Sequence, residues 1–226
     1  MKARITPDLA EFIGILIGDG SVNFYPHLRQ YRVLISSNLD TDHEYVTKRI
    51  VPLIKKLWGK NPGLHMRENI TTIHCKFYSK PIVTWLIQFG FPLKDKIKNI
   101  DIPKRILKKR NLIKNCIRGI FDTDGSIFKK YGSYAQIGFR AYSPYLLRSL
   151  AKYLRKFGFT PSISEKEHYL FIHRQTEIKK FFKEIGSSNP KHIIRYLHWK
   201  RFGYVPRISE FNKNRKYTKE LPFFDE

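Results

Sequence analysis

The stretch Phe12–Gly20, FIGILIGDG, returns near the middle of the chain as Ile117–Gly125, IRGIFDTDG. Gly14, Asp19, Gly20 and Ser21 recur as Gly119, Asp124, Gly125 and Ser126, a shift of 105 positions. The echo continues downstream. LIKKLWG ending at Gly59 answers KYLRKFG ending at Gly158, and PIVTWLIQFG ending at Gly90 answers EIKKFFKEIG ending at Gly186, with shifts of 99 and 96. A shift that shrinks in small steps is what loop deletions leave between two copies of one unit. The chain reads as a tandem duplication.

Each copy predicts the same element order. Thr6 is an N-cap and Pro7 suits the first helical position of a helix that runs to Ile17. Asn111 is the corresponding cap in the second copy. Gly20 and Gly125 are expected to end these helices as left-handed C-terminal glycines. Alternating runs follow, SVNFY with YRVLISS and SIFKKY with AQIGFRAYS, each pair reading as a hairpin with one buried face. An amphipathic helix comes next (42–58 and 144–157), then GLHMR with TTIHCKF or PSISEK with HYLFIH, then another helix (80–89 and 176–185). The fold class is therefore α+β, two tandem αββαββα repeats. Residues 1–102 form the first half, 103–111 a basic helical connector, 112–202 the second half and 203–226 a polar tail. From 103 to 118 there are seven basic side chains and no acid.

Charge narrows the partners. The chain has 43 Lys and Arg against 19 Asp and Glu, a formal net charge of +24, alongside 42% hydrophobic and 15% aromatic residues. That is enough apolar material for real cores, and self-repulsion on this scale calls for a polyanion. Nucleic acid comes first. The basic residues are spread through the whole sequence and no apolar run approaches the ~18 residues of a membrane span, so a membrane partner is disfavoured. The start MKARITPDLAEF lacks the apolar core of a secretory signal, which predicts an intracellular protein. Cys75 and Cys116 form no framework and read as buried reduced thiols, and no histidine pair has zinc-ligand spacing with them.

The repeated helices suggest their own chemistry. Gly14 and Gly18 share one helix face, and Gly119 and Thr123 take the matching places, so the two helices can pack through small residues about a pseudo-twofold axis. Their ends then bring Asp19 and Asp124 side by side. Two carboxylates at negative helix ends repel each other and oppose the dipoles, and a hard divalent cation relieves both. A metal site in a strongly basic chain points to phosphodiester hydrolysis. DTDG resembles part of a calcium loop, but Gly125 falls too early and SIFKKYG adds no acid. The GxxxG spacing of membrane dimers sits here in a run too short to span.

The two nonapeptides, the strand and helix order, and the closing IGSSNPKHIIRY together resemble the LAGLIDADG homing endonucleases, over about residues 6–200. The resemblance implies a monomer whose two four-stranded antiparallel sheets form a DNA-binding saddle over the major groove, with the motif helices at the interface. It implies site-specific double-strand cleavage across the minor groove with Mg2+, or another divalent ion such as Mn2+, Ca2+ binding without supporting cleavage. Double-stranded DNA is then the partner and no second protein is required. Carried over position by position, the metal-binding acids are Asp19 and Asp124, and the adjacent carbonyls those of Gly18 and Thr123. The basic residues near the cut phosphates are Lys96, with Lys94 as second choice, and Lys191. Copy one has Ile17 where many members carry an acid, while copy two keeps Asp122.

Strand alternation assigns the reading face. Val33 and Ile35 point inward, so Arg32 and Ser36 point out, together with Asn23, His65, Arg67, Thr72, His74 and Lys76. Copy two offers Lys130, Gln136, Arg140, Ser162, Ser164 and Lys166. Such side chains suit base edges in the major groove. An RNA-binding intron maturase on the same fold is the alternative function, and a binding protein without cleavage the third.

Overall fold

The computed structural model describes residues 5–67, 70–92, 96–208 and 210, the side chains of 67 and 70 excepted. Its first half runs α1 (Pro7–Ile17), β1 (Gly20–Tyr25), β2 (Gln30–Asn38), α2 (Leu39–Tyr45), a π turn at Val46–Ile50, α3 (Val51–Trp58), β3 (Gly63–Arg67), β4 (Ile70–Tyr78), α4 (Lys80–Phe89) and a single turn α5 (Lys96–Asn99). The second half repeats the order with α6 (Arg110–Asp124), β5 (Gly125–Tyr131), β6 (Tyr134–Arg140), α7 (Pro144–Lys156), β7 (Ser162–Ser164), β8 (Tyr169–Ile172), α8 (Gln175–Glu184) and α9 (Pro190–Phe202). The sheets are β1-β2-β4-β3 and β5-β6-β8-β7, every pairing antiparallel. The duplication is thus written in topology.

Local chemistry explains the elements. Thr6 Oγ1 accepts from the Leu9 N–H at 3.2 Å and Pro7 opens α1, as expected. Gly59 and Gly158, equivalent in the repeat, both take positive φ at helix ends, where a side chain would be strained. Alternation also holds: Val22, Val33, Ile35, Cys75 and Phe77 are buried on one face of the first sheet, and Ile127, Ile137, Phe139, Leu170 and Ile172 on the matching face of the second. Cys75 and Cys116 are buried free thiols, and burial pushes both thiol pKa values up.

Three local expectations differ. Gly20 and Gly125 are not left-handed caps; each opens a strand. The chain reverses straight out of the helix, and a Cβ would lie 2.5 Å from Leu16 Cα at Gly20 and 2.5 Å from the Phe121 carbonyl oxygen at Gly125, so these glycines permit close approach. Asn111 is not the cap of α6, whose first turn starts earlier with the Ile113 N–H donating to the Lys109 carbonyl; Asn111 instead accepts from Asn115 Nδ2 at 2.9 Å. The basic connector 103–111 is helical only over the 3-10 turn Ile106–Lys108, whose Ile106 N–H donates to the Pro103 carbonyl at 2.9 Å, and at residues 110–111, where α6 already begins. At the other end, Tyr204–Pro206 packs against α9: Arg195 Nε donates to the Pro206 carbonyl at 3.1 Å and Val205 is buried.

α1 and α6 meet through their small residues. A Cβ on Gly14 would lie 2.1 Å from the Cys116 carbonyl oxygen, and one on Gly119 would lie 2.2 Å from the Glu11 carbonyl oxygen. The contact is reciprocal, as a pseudo-twofold axis requires. Glu11, wholly buried on α1, is clasped by Arg49 from the π turn at 2.8 and 2.6 Å, with Arg118 of α6 at 3.6 Å. Among the described residues, no helix is long and apolar enough to cross a membrane.

Candidate active site and nucleic-acid interface

Because the interface glycines let the backbones touch, the two motif ends are pressed together. A Cβ on Gly18 would collide with the Thr123 side chain and come within 3.1 Å of Asp124 Oδ2. Asp19 follows Gly18 directly, so the two carboxylates share one small region. Burial, the nearby Asp42 carboxylate and only partial compensation by Lys191 and Lys96 raise the Asp19 pKa to about 6. Burial and Asp19 itself raise that of Asp124 to about 7. Ser37 Oγ donates to Asp19 Oδ2 at 3.3 Å.

Lys96 lies between them. Its Nζ donates to the Gly18 carbonyl at 2.6 Å and to the Gly20 carbonyl. Burial lowers its pKa to about 8 against the pull of Asp124 and Asp19. Two grooves open at this point, sharing Gly18 and Lys96. One, of about 710 Å³, runs past Asp19, Asn23 and Ser36; the other, of about 340 Å³, runs past Asp124, Arg140 and Ser143.

Lys191 is placed differently. It stands in the first turn of α9, capped by Asn189, and its Nζ lies 2.7 and 2.9 Å from the two oxygens of Asp42, a buried carboxylate on α2. Asn189 Nδ2 donates to Asp42 at 2.6 Å and to the Asp122 carbonyl at 2.9 Å. This network ties the halves together, and sequence reasoning missed Asp42, Asn189 and Ser37. The Asn-Pro pair before Lys191 is a helix-start signal that could have placed it. Asp122, two residues before Asp124 on α6, is buried and accepts from Ser187 Oγ and from the Ser188 N–H at 2.9 Å, so it fastens α6 to the loop before α9. Burial raises its pKa to about 7 despite these donors. Lys94 lies outside the described residues.

A divalent cation fits the donors present. Asp19, Asp124 and the neighbouring Gly18 and Thr123 carbonyls would supply oxygen alone, the Gly18 carbonyl being one that already accepts from Lys96, and oxygen is what hard ions take together with water and phosphate. Among the described residues no group of three or more His, Cys, Asp or Glu gathers as a metal cage. Two protein carboxylates leave the rest of the shell to water and substrate.

The proposed reading faces are unequal. On the first sheet Asn23 pairs with Ser21 at 3.2 Å, Arg32 with the Tyr25 hydroxyl, and Ser36 with His74 at 2.9 Å, while Lys76 and Thr72 are half-buried and His65 is exposed. Arg67 lies on β3, its side chain outside the described residues. On the second, Lys130 is exposed, Arg140 donates to the Tyr142 hydroxyl at 2.8 Å, and Ser162 pairs with His173 at 2.8 Å. Ser164 ends β7, and Lys166 falls in the turn after it rather than in the strand. Gln136 has the expected strand parity but is only 6% exposed, in a groove with Phe128, Phe171, Arg195 and Ile208, so the expectation of an exposed Gln136 is corrected.

Comparisons with known proteins follow the same outline. Residues 111–186 match the LAGLIDADG-like domain family. No curated protein matches the chain by sequence. Among solved structures, I-DmoI in complex with DNA and Ca aligns at TM-score 0.59 and 18% identity, over 81% of this chain and 93% of that one. I-WcaI bound to its DNA recognition sequence aligns at 0.57 and 14%, over 79% and 80%. A point variant of I-SmaMI aligns at 0.54 and 12%, over 99% and 100%.

Proposed function

We propose that this chain, which has the fold of the single-chain LAGLIDADG homing endonucleases and carries a LAGLIDADG-like domain in its second half, is a site-specific, divalent-metal-dependent DNA endonuclease. The observation that carries this reading is the pair Asp19 and Asp124, two desolvated carboxylates set together at the ends of the packed helices α1 and α6. Support comes also from the charge of +24 and from neighbours solved with DNA together with Mn or Ca.

Asp19 and Asp124, with the Gly18 and Thr123 carbonyls beside them, would hold the cation, and a divalent ion there would supply a lowered pKa for water and stabilisation of charge on the phosphate. Lys96, anchored on the Gly18 and Gly20 carbonyls, places a positive charge beside the scissile phosphate and feels the charge of both acids. Arg140, lining the groove of Asp124, contacts the phosphate backbone on that side. One chain supplies both acids, so it acts as a monomer on a continuous duplex, whose halves lie against the two sheets.

The test is incubation with Mg2+ and a library of duplexes, beside Asp19→Asn and Asp124→Asn. The expected result is Mg2+-dependent cleavage of both strands at one site by the parent and by neither variant. Tight binding with no nicking would instead favour a binding protein or a maturase.

A further inference from the structure

The two outward sheet faces differ in kind. On the first, the positions opposite the core are mostly hydrogen-bonding groups, Asn23, Arg32, Ser36, His74 and Lys76, with Leu34 and Tyr25 among them. On the second, the equivalent surface carries three aromatic rings beside Ser126 and Arg140. Phe128 on β5 and Phe171 and Tyr169 on β8 stand on the face opposite Ile127, Ile137, Leu170 and Ile172, which are fully buried. Tyr169 and Phe171 stack with centroids 5.2 Å apart and planes 3° apart, and Phe128 meets Phe171 edge-on at 6.5 Å.

Gly138 makes room for this arrangement. It lies between Ser126 and Phe171 in the ladder, and a Cβ there would stand 3.0 Å from Phe128 Cε1 and 3.4 Å from Phe171 Cε1. Both rings therefore lean over a bare backbone rather than standing apart. They are half-buried, and they wall a groove of about 710 Å³. Gln136, the side chain here suited to adenine, is buried in the same groove, whose lining Ser126, Glu167, Arg195 and Ile208 complete, so the half-buried rings are its apolar part.

A duplex offers base edges, not base faces, to a sheet in its major groove. The one apolar group on those edges is the thymine methyl. We infer that Phe128, Phe171 and Tyr169 select thymines in the half-site beneath the second sheet, while the first sheet reads its half-site by hydrogen bonds, giving an asymmetric target. This inference rests on the duplex-DNA reading above.

The experiment uses the full chain in Ca2+ to select sites from a randomised duplex library, then replaces thymine by deoxyuridine in one half of the selected site at a time. Deoxyuridine keeps every hydrogen bond and lacks only the methyl. The expected outcome is a thymine-rich half in which each replacement weakens binding about fourfold, the value of one buried methyl group, with little change in the other half. Phe128→Ser and Phe171→Ser should each abolish that sensitivity, with thermal denaturation to establish that they fold; the parent's response to deoxyuridine stands without them. A selected site lacking thymine there, or indifferent to deoxyuridine, overturns the inference and leaves the duplex reading intact. Tighter binding to the single-stranded form would make the rings a base-stacking platform and also overturn it. Selection of no site at all overturns both readings.

Discussion

The two halves keep their acids alike and let their lysines diverge. Asp19 and Asp124 occupy equivalent helix ends and both have raised pKa values, chiefly from burial. Lys96 reaches into the site and lies on backbone carbonyls, whereas Lys191 is held by the buried Asp42 and reaches the acids only through its field. Symmetry is retained where two equivalent groups must meet at one axis, and relaxed one layer out. There, one lysine lies on the carbonyls beside the acids and its counterpart fastens the halves together.

The largest effect that could break this comparison lies in the acids. Asp19→Asn or Asp124→Asn should each lower Mg2+-dependent cleavage by at least about a thousandfold, since each removes part of an electrostatic contribution of several kcal/mol. Single-turnover cleavage measures it, and a large loss for only one of them would show that the acids are not equivalent. The lysines should then separate by assay. Lys191→Met leaves Asp42 buried and without its cation, so the fold should lose about 3 to 5 kcal/mol in denaturant titration. Lys96→Met should lose cleavage while leaving stability nearly unchanged, because it removes a desolvated cation that has no carboxylate hydrogen bond. Equal stability losses for the two lysines would erase the distinction.

A third test concerns the axis itself. Gly14→Ala puts a methyl 2.1 Å from the Cys116 carbonyl oxygen, a backbone atom that cannot rotate away, and should cost roughly 3 kcal/mol by forcing α1 from α6. Gly59→Ala, at a position with nothing within 4 Å of the added Cβ, bears only the strain of its positive φ and should cost about 1 kcal/mol. Thermal denaturation of the pair separates close approach from conformational strain.

Much of this was legible in the chain because it is local or periodic. Thr6 and Pro7 mark a helix start by their own chemistry, alternation sorts Val33 from Arg32, and the repeat offset places Gly119 opposite Gly14. What the repeat could not convey is which contacts bridge the halves. The Asp42–Asn189–Lys191 network joins residues far apart in sequence, and an Asp near the start of a helix reads equally well as a dipole partner. The family resemblance puts Lys191 near the cut phosphates, but its engagement with Asp42 depends on tertiary packing. Gly20 and Gly125 were read as caps because glycine after a helix usually is one; here the strand begins at once and steric clearance decides. Gln136 obeys the strand period and is still buried, because period two tells which face a residue takes and not what lies over that face.

The comparison of the acids is sharpened through pH. Asp19 and Asp124 have folded pKa values of about 6 and about 7, above the usual 3.8. Between the unfolded and folded values the unfolded chain has released protons that the native state retains. Stability from these groups is therefore fully present below pH ~4 and is lost as pH rises through 6 and 7. An asparagine stays neutral, so Asp19→Asn should match the parent near pH 4 and exceed it above pH 7, by roughly 3 kcal/mol at most. Asp124→Asn should exceed it somewhat more, its shift being the larger. Added Mg2+ should stabilise the parent most above pH 7, where both carboxylates are ionised for binding, and should leave the variants nearly unmoved. Denaturant titrations at pH 4 and pH 8, with and without Mg2+, measure all of these differences. Variants no more stable than the parent at pH 8 would mean that the two carboxylates are already compensated within the protein, and that a cation has little repulsion left to relieve.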